Sequence, residues 1–156
     1  MAASRLAGAG SCIYIPSMTT TTAVAESCAC LRVRKAARNV TRRYDAALRP
    51  AGLRITQFTV MTALAEYGEV SITDLAESLG MERTTLTRNV RPLEQKGWLK
   101  ISPEGYRRVR TLTLTASGRR KLEAALPLWE QAQQQMERQL GRQGLRAFNE
   151  MLERAT

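Results

Sequence analysis

Near Gly97 the hydrophobic pattern of this 156-residue chain changes period, and that change leaves few folds open. Before it, apolar residues recur at steps of three and four, as in helices that bury one face. After it, residues 98–102 and 109–115 read as strands, the second alternating through Arg110, Leu112 and Leu114 against Val109, Thr111 and Thr113. Pro103-Glu104-Gly105-Tyr106 between them is turn chemistry, so a hairpin is expected. From residue 116 the helical period returns. The expected fold class is mainly α, with one two-stranded β-hairpin set among helices.

The helices can be placed individually. Residues 28–49 form a long amphipathic segment with Cys30, Val33, Ala37, Val40, Tyr44 and Ala47 on one row, ended by Pro50 and Gly52. Residues 56–67 carry Phe58, Met61, Leu64 and Ala65 and stop at Gly68. Residues 70–72 are a short extended piece. Ser71 followed by Asp74 is a capping pattern that opens a brief helix ending at Gly80. Residues 82–96 form the next helix, closed by Gly97 and bent at Pro92, which removes a backbone bond to the Arg88 carbonyl. Thr115 can cap a helix over 116–140 whose row is Leu122, Leu126, Trp129, Met136 and Leu140, with a kink at Pro127. Gly141 and Gly144 precede a last short helix with Leu145, Phe148 and Leu152 on one face.

Two short helices joined by a tight glycine turn and followed by a basic hairpin describe a winged helix-turn-helix. Four segments result: a disordered tail over 1–27, a dimerisation helix within 28–54, the winged helix-turn-helix over 55–118, and C-terminal dimerisation helices over 119–156. The apolar rows of the terminal helices are longer than one small domain can cover. A second copy of the chain is their expected partner. Met18 is an alternative start to Met1.

Charge narrows the function. The chain has 24 Lys and Arg against 14 Asp and Glu, a net of +10, which predicts a polyanionic partner. Residues 28–54 hold eight basic and one acidic residue, and residues 82–121 hold eleven and three. Residues 55–81 between them carry four acidic residues and no basic one. There is no His, which excludes His-based triads and most catalytic zinc sites, so neither an enzyme nor a cofactor is expected. No apolar run reaches the roughly 18 residues of a membrane span. The three cysteines are an odd count and no disulfide framework, which fits a reducing cytoplasm.

Within 82–96, Leu86, Val90 and Leu93 should face the core, leaving Thr84, Thr87, Arg88 and Arg91 opposite, with Thr85 beside them. Hydroxyls and guanidinium forks suit the major groove, where Arg pairs with guanine O6 and N7. Arg83 at the helix start is placed for a phosphate. Arg107 and Arg108 in the hairpin are candidates for the minor groove, with Arg110 on the strand side. The expected partner is double-stranded DNA. The competing reading is a basic winged-helix module that binds protein or nucleic acid without sequence preference.

The segments "GLRITQFTVMTALAEYG", "VSITDLAESLGMERTTLTRNVRPLEQKGWL" and "RRVRTLTLTASG" resemble the MarR family of winged-helix transcriptional regulators. The resemblance implies a homodimer on a pseudo-palindromic operator, acting as a repressor released by a small effector. It makes Arg108 the wing arginine, with Tyr106 where such regulators place an Asp. It also puts Tyr44, Phe58 and Trp129 where relatives hold small aromatic effectors, although plain packing is the favoured reading of them. By register with Tyr44, Cys30 is similar to the peroxide-sensing cysteine of the organic hydroperoxide resistance regulators, with Ile55 at the position of a second tyrosine. Cys28 and Cys30 are therefore candidate redox sensors, and a small thiol packed at a dimer interface is the alternative.

Overall fold

The computed structural model describes residues 20–103 and 109–155, which divide between two compact units, residues 1–37 and 38–156. In the first unit, α1 (Thr21–Ser27) precedes the opening turns of α2 (Ala29–Leu48). Residues 21–27 were expected to be tail and are instead helical, with Val24 N–H donating to Thr20 O at 3.1 Å. The four-threonine run masks an Ala-Val-Ala-Glu stretch of adequate helix propensity.

The second unit contains the rest. A 3-10 turn (Arg49–Ala51) ends α2, and α3 (Ile55–Tyr67) follows. Next come β1 (Val70–Ser71), α4 (Ile72–Ser78), α5 (Arg83–Gln95), β2 (Leu99–Ile101), β3 (Thr111–Leu114), α6 (Ala116–Leu140) and α7 (Arg142–Glu153). The hairpin strands are joined by β1 in an antiparallel sheet of order β1-β3-β2, with Val70 opposite Leu112 and Leu99 opposite Leu114. The extended piece at residue 70 is thus a third strand. Leu112, on the central strand, is fully buried.

Local chemistry explains the boundaries. The Ser71 hydroxyl accepts the Asp74 N–H at 3.1 Å and starts α4. Both helices of the helix-turn-helix end in the same double bond pattern. At α4, Gly80 N–H donates to Glu77 O at 3.0 Å and Met81 N–H to Ala76 O at 2.8 Å. At α5, Gly97 donates to Glu94 O at 2.8 Å and Trp98 to Leu93 O at 2.9 Å. This is the Schellman arrangement, which needs a left-handed residue, and Gly80 and Gly97 have φ of 59° and 68°. α5 runs on through Pro92, and α6 through Pro127.

The core unites Leu48, Val60, Met61, Leu64, Leu75, Leu86, Val90, Leu93, Leu99 and Leu112. On α6 the inward row is Leu122, Ala125, Ala132 and Met136, with Trp129 packed against the core. Leu126 and Leu140, expected on that row, are exposed at 41% and 40%. Leu126 is the larger and more apolar neighbour, but the helix turns the small Ala125 inward in its place. On α2, Tyr44 and Leu48 are buried, whereas Leu31 and Val33 are exposed. No residue of α7 is buried. Among the described residues, no helix is long and apolar enough to cross a membrane.

Candidate nucleic-acid interface

α5 is fixed in rotation by Leu86, Val90 and Leu93, each fully buried. Three such aliphatic anchors on one face leave its opposite face no freedom to turn inward. That face is an open groove of about 510 Å³ lined by Arg83, Thr84, Thr87, Arg88 and Arg91. The structure therefore brings together five of the six residues expected on this helix. Thr85 is exposed but does not line the groove. At 100° per residue it stands about 100° from Thr84 and about 60° beyond Arg88, at the edge of that face. The Thr87 hydroxyl donates to the Arg83 carbonyl at 2.8 Å, so toward a ligand it is chiefly an acceptor.

A second open groove of about 790 Å³ shares Arg88 with the first. Arg49, Arg54, Lys96 and Asp45 also line it. Asp45 Oδ1 accepts the Ile55 N–H at 2.7 Å, capping α3, and Lys96 Nζ donates to Gly52 O at 3.3 Å. On the same side, Thr56 Oγ1 donates to Asn89 Oδ1 at 3.4 Å, tying α3 to α5. Nothing in the sequence joins Arg49 and Arg54 to Arg88, since they fall in different basic blocks.

The wing is described in part. Thr111 N–H donates to the Ser102 hydroxyl at 2.9 Å, and Ile72 N–H donates to the Arg110 carbonyl at 3.1 Å, on the strand side where Arg110 was expected. Arg107, Arg108 and Tyr106 lie outside the described residues.

The candidate effector residues meet through Trp129. Phe58, buried, stacks on it with centroids 6.2 Å apart and planes 11° from parallel. Tyr44 belongs to a small cluster with Ala132 and Met136, against which Trp129 also packs. The Tyr44 hydroxyl donates to Gln133, and burial pushes its pKa above the usual phenol value. These side chains pack between α2, α3 and α6.

Of the candidate thiols, Cys28 lies in the break between α1 and α2, half-buried, with its Sγ accepting the Leu31 N–H at 3.4 Å. Cys30 is exposed on the first turn of α2.

A model of the MarR family matches residues 53–104. The chain is 34% identical to the M. tuberculosis transcriptional regulator MosR, across 83% of this chain and 96% of that one, with a TM-score of 0.72. The structure of MosR in complex with DNA matches at 34% identity over 82% of this chain and 98% of the other, with a TM-score of 0.68. An uncharacterized HTH-type transcriptional regulator of Bacillus subtilis (strain 168), YwoH, is 26% identical over 92 residues, 59% of this chain and 67% of its own length.

Proposed function

The chain belongs to the MarR family and is a sequence-specific DNA-binding transcriptional regulator, and we propose that it reads its operator with the Arg83–Arg91 face of α5. The observation that supports this reading is the rotation of α5. Its apolar face is wholly buried, so two threonines and three arginines line one open groove. Arg88 and Arg91 carry forks that match guanine in the major groove, Thr84 adds a hydroxyl, and Arg83 meets a phosphate at the helix start. Arg107 and Arg108 act from the wing in the minor groove. The active species is a homodimer on a pseudo-palindrome, and binding represses transcription.

Release comes from a small effector or from oxidation of Cys28 or Cys30. Cys28 supports the second route, because its sulfur accepts the Leu31 N–H at 3.4 Å at the start of the 20-residue α2. DNA binding by the wild type, Cys28→Ser and Cys30→Ser, before and after organic hydroperoxide and then a thiol reductant, tests it. Release of the wild type, reversed by reductant and lost in the variant that lacks the sensing cysteine, is expected, and equal behaviour of all three removes the thiols from the mechanism.

Selection from a pool of random duplexes tests the function itself. It should yield a two-fold-symmetric sequence whose half-sites lie about one helical turn apart. Binding that never enriches a sequence would favour the non-specific basic module instead.

A further inference from the structure

The basic surface does not end with the residues that face the bases. The second groove shares Arg88 with the first and takes its walls from three stretches of chain. Arg49 comes from the turn after α2, Arg54 from the residue before α3, and Lys96 from the end of α5. Four cationic side chains and one carboxylate line it, and the carboxylate, on Asp45, is held by the Ile55 amide. The positive end of the α3 dipole adds to the same field. All four cations are exposed, so a large anion can reach them.

Length decides what arrives there. From Arg83 to Lys96, α5 and its cap extend about 20 Å at roughly 1.5 Å per residue. The major groove of B-DNA is only about 12 Å wide. With Arg83–Arg91 inside it, the far end of α5 and the segments behind it pass the groove edge and meet the sugar–phosphate backbone. We propose that Arg49, Arg54 and Lys96 clamp that backbone, a phosphate site outside the recognition helix. The inference rests on the reading that α5 enters the major groove. The clamp touches no base, so it adds affinity without sequence preference.

The test compares wild type with Arg49→Ala/Arg54→Ala on the selected operator and on a scrambled duplex, between about 50 and 200 mM salt. Affinity should fall by the same factor on both duplexes. The slope of log affinity against log salt should become shallower by about one for each arginine in each half-site. Arg49→Lys/Arg54→Lys, which keeps the charge, should regain most of the slope. Arg49→Gln alone should give about half the change and serves if the double variant does not fold. An unchanged slope, or a loss confined to the operator, overturns the clamp. A wild type that cannot tell operator from scrambled duplex overturns the reading of α5 instead, while the slope on scrambled duplex still judges the clamp.

Discussion

Gly118 sits one turn into α6, and a Cβ on it would lie 1.9 Å from the carbonyl oxygen of Trp98 and 2.9 Å from Leu114 Cδ1. The carbonyl has little room to yield, because it accepts the Thr115 N–H at 3.1 Å. Gly118→Ala is expected to cost about 3 kcal/mol, the upper range of core overpacking, and to lower the melting temperature by roughly 6–12 °C. A thermal melt matching the wild type would show that the two segments separate freely. At Arg88 the expected loss is in recognition. Arg88→Ala should weaken operator binding by about 1–3 kcal/mol and relax one base position per half-site, whereas Thr85→Ala, outside the groove, should change little. A titration in which Arg88→Ala loses equally on scrambled duplex would make it a backbone contact. Arg88 was legible in the sequence because its helix has an unambiguous apolar face. The need for Gly118 was not, because the atom it avoids belongs to another segment.

At the scale of elements, α2, α3 and α6 meet at Tyr44, Phe58 and Trp129. Burial holds the Tyr44 hydroxyl above its ordinary value of about 10. Ionisation is therefore harder in the folded chain than in the unfolded one. The resulting stability is fully present below about pH 10 and is lost as pH rises through the raised value. Tyr44→Phe, which also gives up the bond to Gln133, should be less stable by about 1 kcal/mol at neutral pH. It should then lose less than the wild type as pH rises above about 10, and denaturant melts on either side of that pH read the difference. Parallel curves would show that Tyr44 ionises as easily folded as unfolded. The main helices were legible because periodicity and caps agree, as at Ser71 and Thr115, whose hydroxyls accept N–H groups at 3.1 and 3.0 Å. The pairing of β1 with β3 was not, since two residues carry too little pattern to announce a partner some forty positions away.

For the whole molecule, the apolar surface of the terminal helices is the salient fact. Leu31 and Val33 of α2 and Met151 and Leu152 of α7 are exposed at 45%, 50%, 61% and 37%. A dimer that buries such rows accounts for them. Sedimentation at micromolar concentration should give one species of twice 17.4 kDa, and a well-folded species of single mass would refute it. The excess of basic residues was legible from composition, but not its arrangement. Residues 49 and 54 belong to one basic block and residues 88 and 96 to another, and only the fold places them around one groove.

Where α5 ends, the Gly97 carbonyl accepts the Thr115 hydroxyl at 2.7 Å and the Ser117 hydroxyl at 2.8 Å. Thr115 in turn caps α6 through the Gly118 amide, so recognition helix, wing base and α6 share one joint with no slack chain between them. In a dimer built on α6, each reading head then sits on a stiff arm, and the pair behaves as a caliper set to one width. One base pair inserted between the half-sites turns the far half-site by about 35°, which such arms cannot follow. The length of the unread spacer therefore becomes part of the operator's message.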